Sequence, residues 1–242
     1  MNLILFDIDG TILKMKDSIS KKLFSENLDL LFGDIIDEDK LPAFHGMTDL
    51  QIIYDIADSF NFPKSLIESR LPAFFDTLSE TIQANCNENT IDLMPGIPEL
   101  LNKIEEEDRI CLALLTGNIR NNAYSKLSAY SVDCYFPIGA FGDDHADRSE
   151  LVKIALHRAS DYYGIAFHSR NSIIIGDSIN DIKCARTNNI PVLSVATGAL
   201  DVHELSYYKP DYLLNDLSQV DLVLTTIKNH FGVLDEENNY SN

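Results

Sequence analysis

The 242-residue chain is 45% hydrophobic and 24% charged, the make-up of an ordinary globular protein with length for one large domain or a domain carrying an insertion. Its 19 basic and 38 acidic residues leave a net charge of −19, which argues against nucleic acid and anionic membrane as partners, and no run of 18 apolar residues is present to span a bilayer. No signal peptide is read at the N-terminus, and Cys86, Cys111, Cys134 and Cys184 stand far apart without a CxxC; the expectation is a cytoplasmic protein with reduced thiols and no zinc site.

The first informative stretch is Leu3 to Leu13, LILFDIDGTIL. A short apolar run ended by Asp and Gly reads as a buried strand entering a turn. Residues two apart in an extended chain face the same side, so Asp7 and Asp9 address one small volume. Paired carboxylates at the mouth of a buried strand are costly unless a hard cation such as Mg²⁺, or a shared proton, offsets their desolvation.

From Met15 to about Ile91 the pattern is helical, with no convincing strand. Lys21 to Phe32, Leu50 to Phe60 and a stretch opened by Pro63 each repeat apolar residues at helical spacing, and Pro72 is a potential kink in the last. This reads as an all-helical insertion. From Asp92 helix and strand alternate: a helix from Pro95-Gly96 to about Glu107, a strand at Ile110 to Leu115, a helix through Leu127, and a weak strand at Cys134 to Ile138. A helix from Glu150 to Tyr163, a strand at Ser172 to Ile175, a helix to about Asn188 and strands at Pro191 to Val195 and Asp211 to Leu214 follow. The last helix runs from Leu217 to His230, and a polar acidic tail begins at Asp235. Such repetition predicts an α/β fold, a parallel sheet with helices on both faces whose ligands sit at the carboxyl ends of the strands. The expected division is a core of 1–14 and 92–234, a helical insertion of 15–91, and a frayed tail of 235–242.

Three strands end in chemically suggestive turns: Asp7-Ile8-Asp9-Gly10-Thr11, Thr116-Gly117-Asn118 and Gly176-Asp177-Ser178-Ile179-Asn180-Asp181. Each alone has an ordinary explanation in turn and cap chemistry. Together, on one rim of a parallel sheet, they let Asp7, Asp9, Thr116, Asp177 and Asp181 converge. A carboxylate can serve as nucleophile, a second as proton carrier, and further acids as ligands for Mg²⁺. A hydroxyl with exposed N–H groups suits a phosphoryl oxygen.

FDIDGT, LTGN and GDSIND, in this order, resemble the motifs of the haloacid dehalogenase-like superfamily of phosphotransferases. The resemblance implies that fold, with a helical cap of the C1 type inserted after the first motif. It implies Asp7 as nucleophile, Asp9 as general acid/base, and Mg²⁺ held by Asp7, the backbone carbonyl of Asp9, and Asp177, with Asp181 in support. Thr116, Gly117 and Asn118 would bind the phosphoryl group. The superfamily's basic residue has no Lys-Pro context here; Arg148, placed just before a helix, is favoured over Lys153 within it. His45-Gly46-Met47-Thr48-Asp49 resembles the GxTD turn of phosphoglycolate phosphatase-like members, which makes Thr48 a substrate-binding candidate as well as a helix cap. His145, near Asp143-Asp144, reads as a solvated loop residue rather than a metal ligand. The implied activity is Mg²⁺-dependent hydrolysis of a small phosphorylated metabolite by a monomer or homodimer. Asp9 speaks against dehalogenation. Thr11, where β-phosphoglucomutase-like mutases tend to carry Val, leans away from phosphomutase activity. A non-catalytic regulatory protein on the same fold is the remaining alternative, disfavoured by the intact carboxylate set.

Overall fold

The structure is a computed structural model that describes residues 1–16, 19–33 and 44–232. In chain order the elements are β1 (Asn2–Phe6), β2 (Leu13–Met15), α1 (Ile19–Glu26), α2 (Asp29–Phe32), α3 (Asp49–Ser59), α4 (Lys64–Asn85), β3 (Ile91–Leu93) and α5 (Ile97–Glu105). β4 (Ile110–Leu115), α6 (Arg120–Ser128), β5 (Gly139–Ala140), α7 (Arg148–Tyr163), β6 (Ser172–Gly176) and α8 (Ile179–Thr187) follow. β7 (Val192–Val195), α9 (Val202–Ser206), β8 (Tyr212–Leu214) and α10 (Val220–Phe231) are the last among the described residues.

Six parallel strands form one sheet in the order β5-β4-β1-β6-β7-β8. The unbroken apolar run of β1 is explained by burial on both faces. Ile4 and Phe6 point into a cluster with Leu101 of α5, Leu127 of α6 and Val223 of α10. Leu3 and Leu5 point the other way, against Leu151 of α7 and Ile182 of α8. The chain leaves β1 for one edge through β4 and β5, then crosses back to β6 on the other side of β1. Ligand sites form at such a reversal of strand order. Phe6 lies level with Leu114 and Ile175, so Asp7, Thr116 and Asp177 emerge within one residue of each other along the rim.

Several expectations are corrected. Leu13–Met15 and Ile91–Leu93 pair antiparallel, Leu13 with Leu93 and Met15 with Ile91, as the two stems of the helical segment. Three-residue strands carry too little alternation to register as a period. The strand expected at Cys134 to Ile138 is a 3₁₀ turn over Asp133–Tyr135, and pairing with β4 begins only at Gly139. Pro137 has no N–H to give a ladder, and Phe136 turns inward to meet Phe6 edge-on, with ring centroids 5.8 Å apart. α9 was not anticipated; Asp201 caps it, accepting from Glu204 N at 2.8 Å. α4 continues through Pro72. The expected tail from Asp235 lies outside the described residues.

Between β2 and β3, α1 to α4 pack around Phe74, whose ring meets Phe24 at 5.6 Å and Phe75 at 5.8 Å. Phe74 is fully buried, and Phe24 also meets Phe44 at 5.3 Å. Truncation at this position leaves a cavity among rings that have no slack to close it. Phe74→Ala is expected to destabilise the protein by about 3–5 kcal/mol, read as a lower urea midpoint with unchanged slope.

Candidate active site

Asp7 follows directly on β1. Its backbone N–H donates to Ile175 O at 2.9 Å, which continues the ladder one step and fixes the side chain at the rim. The residue is 4% exposed. The chain then turns at Gly10, whose φ of 88° and closeness to Asp177 exclude a side chain: a Cβ there would collide with the Asp177 carboxylate. The Thr197 hydroxyl donates to Gly10 O and ties this turn to the loop after β7.

The β6 turn is a capping box. Ser178 accepts from Asp181 N, while Asp181 Oδ2 accepts from Ser178 N at 3.0 Å and from Ser178 Oγ at 2.6 Å. The ordinary cap chemistry and a role in a site are therefore met by one carboxylate, because Asp181 Oδ1 remains free to accept from Arg148 Nη2 at 2.5 Å. Asp7, Asp177 and Asp181 each place a carboxylate oxygen within 4.8 Å of the others.

Arg148 is the first residue of α7, not a residue before the helix as expected, and it is buried. Its Nη2 donates to Asp7 Oδ1 at 2.9 Å and to Leu115 O at 3.1 Å, and its Nη1 donates to Gly46 O at 3.2 Å. Lys153 is exposed and pairs with Glu150 at 2.5 Å, so only the arginine of the two candidates reaches the rim. One guanidinium among three buried acids leaves net negative charge. Burial pushes Asp7 up to about 7 against the pull of Arg148, with repulsion from Asp181 adding to the rise. Burial, then Asp7 and Asp181, hold Asp177 well above the usual carboxylate range. For Arg148 burial works toward a lower value, but Asp181 and Asp7 outweigh it and keep the guanidinium charged. An excess of hard oxygen donors with unmet charge is the donor set a small divalent cation fits.

At the end of β4, Thr116 is fully buried. Its Oγ1 accepts from Asn118 Nδ2 at 2.8 Å, and the same Nδ2 donates to Asp9 Oδ2 at 2.6 Å. Asp9 thus faces away from the acid cluster, and its partner is a residue that sequence reasoning missed. Lys126 Nζ lies 2.8 Å from both Asp9 oxygens and 2.7 Å from Asn118 Oδ1, with its side chain 1% exposed. A signal existed: Lys126 stands at helical spacing from Ala123 and next to Leu127 on the buried face of α6, where a core residue belongs.

The turn from His45 to Asp49 lies across this rim. Asp49 N donates to Gly117 O and its Oδ2 accepts from Ile119 N, both at 2.8 Å. Burial, tempered by the Ile119 N–H and Lys126, pushes Asp49 up to about 7. Asn180 Nδ2 donates to His45 O at 3.0 Å. Gly117 has no room for a side chain because a Cβ would strike the Met47 carbonyl. The hydroxyl of Thr48, expected to bind substrate, is committed elsewhere: it accepts from Gln51 N at 3.0 Å as the cap of α3 and donates to Ala146 O at 2.7 Å. Gly46, Met47 and Asp49 line the cavity in its place. His145 accepts from Asp147 N at 2.9 Å in an exposed loop, away from the acid cluster. The cavity, of about 100 Å³, has Asp7, Asp9, Thr116, Gly117, Asn118 and Arg148 on its sheet side and Phe24, Phe44 and Ile52 on its helical side. A wider groove between α4 and α6, lined by Asp76, Glu80 and Tyr124, holds none of the sheet-side residues.

With the acid cluster on the rim of a doubly covered parallel sheet established, residues 4–195 match the model of one family: the chain belongs to the haloacid dehalogenase-like hydrolases. Two of its curated relatives are phosphatases by name. It is 25% identical over 150 residues to a phosphoglycolate phosphatase of Nitrosococcus oceani, a match covering 62% of this chain and 65% of that enzyme, so the chain spans just under two thirds of that relative's length. It is 22% identical over 242 residues to a phosphorylated carbohydrates phosphatase of Thermotoga maritima, covering 91% of this chain and all of that one. Among solved structures, CbbY of Rhodobacter sphaeroides in complex with phosphate superposes with a TM-score of 0.68 at 19% identity, covering 91% of this chain and 96% of that one.

The raised value at Asp7 has a stability consequence. The native carboxyl holds its proton to about 7, while an unfolded one releases it near 3.8, so stability falls as pH rises between those values and stays low above them. With divalent cations chelated, Asp7→Asn is expected to exceed wild type in stability at pH 8, the difference closing by pH 4, as measured by urea unfolding.

Proposed function

We propose that the chain is a Mg²⁺-dependent phosphatase that hydrolyses a small phosphorylated metabolite, phosphoglycolate-like or a sugar phosphate, through an aspartyl-phosphate at Asp7. The observation that carries this reading is the placement of Asp7 with Thr116 and Arg148 on the sheet side of one small cavity.

An oxygen of Asp7 attacks phosphorus as the bond to the leaving oxygen breaks. Arg148 and Thr116 hold phosphoryl oxygens, and Gly117 and Asn118 border the same volume. Asp9 gives a proton to the leaving oxygen, then takes one from the water that cleaves the aspartyl-phosphate. Asp7, Asp177 and the carbonyl of Asp9 would hold Mg²⁺, with Asp181 supporting. The cation supplies positive charge that lets an anionic nucleophile meet an anionic ester. Residues 15–91 act as a cap that excludes water from the cavity and shapes it around the leaving group, on a core of 1–14 and 92–234. The contacts of His45 and Gly46 with Asn180 and Arg148 support a closed state of that cap.

Purified wild type assayed on a panel of alkyl and sugar phosphates with Mg²⁺ is expected to release inorganic phosphate, and chelation is expected to stop it. Asp7→Asn is expected to lose turnover by at least about 10³-fold while keeping a cooperative unfolding transition. Full activity in that variant, or an isomerised ester without free phosphate, overturns the reading.

A further inference from the structure

We propose that Lys126 is a positioning residue that sets the orientation of both Asp9 and Thr116 through a single side-chain network. The inference rests on the roles read for those two residues above.

Lysine is rarely buried without a partner, and Lys126 is 1% exposed on a helix face otherwise filled by Ala123 and Leu127. Its ammonium can only donate. Two of its hydrogens meet both oxygens of Asp9, whose side chain is 41% exposed and so would otherwise be free to choose its rotamer. The third meets Asn118 Oδ1 at 2.7 Å. That contact decides which way the Asn118 amide faces, because a reversed amide would put donor against donor. With Oδ1 turned to the ammonium, Nδ2 must face Asp9 Oδ2 and Thr116 Oγ1, at 2.6 and 2.8 Å. Asn118 N also approaches Thr116 Oγ1, at 3.3 Å. With its lone pairs addressed by Asn118, the Thr116 hydroxyl has its proton left to give, and the residue borders the cavity. One ammonium thereby fixes the rotamer of the Asp9 carboxylate and, through Asn118, leaves the Thr116 hydroxyl a donor at the cavity. The chain supplies these parts from residues 9, 116, 118 and 126, so no local turn could hold them in register.

The test compares Lys126→Met with wild type on two phosphate esters. An alkyl phosphate needs a proton delivered to its leaving oxygen; a p-nitrophenyl phosphate leaves without one. Because kcat/KM reports the steps through departure of the leaving group, the alkyl ester is expected to lose about 10²–10³-fold and the aryl ester at least about tenfold less. Equal losses on both esters, or no loss on either, overturn the proposal. Asn118→Ala is expected to show the same bias toward loss on the alkyl ester. Adding Lys126→Met to it is expected to cost little more, since the two act as one unit; independent, multiplying losses overturn the proposal. A crystal structure of Lys126→Met is expected to show Asp9 and Asn118 in new rotamers. Unchanged rotamers overturn the proposal even if the wild type proves inactive on every ester, an outcome that would separately defeat the phosphatase reading.

Discussion

The structure depends on holding Asp7, Asp177 and Asp181 together at one point of a water-poor rim. Three carboxylates within 4.8 Å repel, and burial worsens this by removing the solvent that screens them. Arg148 is the part of the protein that makes the cluster tolerable. Its Nη2 reaches Asp7, Asp181 and the Leu115 carbonyl, and its Nη1 reaches the Gly46 carbonyl. Burial first, and then mutual repulsion, pushes Asp7 and Asp177 toward neutrality, and the negative charge left at the cluster suits a divalent cation. A bare strand rim could not sustain such a charge excess, and the capping box of α8 shows how local order helps: Asp181 is locked by its own turn before it meets the arginine.

Close backbone approach is the second constraint. Gly10, Gly117, Gly176 and Gly198 all sit where a Cβ would meet a carboxylate or a carbonyl. At Gly10 the positive φ adds a conformational reason to the steric one. The turn from His45 to Asp49 seats on this stripped surface through the bond from Asp49 N to Gly117 O and through its own carbonyls, His45 O accepting from Asn180 Nδ2 and Gly46 O from Arg148 Nη1. This seating leaves the side chains of Phe24, Phe44, Met47 and Ile52 to line the helical side of the cavity, so its shape is set by the helical segment and its charge by the sheet.

Much of this was legible in the residues. The apolar runs of β1, β4 and β6 identified themselves because strands buried on both faces need no alternation, and the motifs at their ends named Asp7, Asp9, Thr116, Asp177 and Asp181. The elements that carry no legible period are short. β2 and β3 have three residues each, β5 has two, and α9 has five, lengths at which neither period accumulates. Thr48 was recognised both as a cap and as a substrate contact, and its hydroxyl is used by the cap and by Ala146. The choice between Arg148 and Lys153 turned on where a helix begins, which a sequence locates only to within a residue or two.

The sequence by itself determined the sheet, its helical covering and the identity of the acids, since these follow from hydrophobic period and from turn residues adjacent along the chain. Tertiary structure alone decided which cation answers which acid. Arg148 meets Asp7 across 141 positions and Lys126 meets Asp9 across 117, and no local pattern encodes a pairing at such separation. The physical reason is that a buried charge is settled by whichever opposite charge the packed elements bring within hydrogen-bond reach. Only the register of β1 against β4 and the seating of α6 and α7 on opposite faces of the sheet decide which one that is.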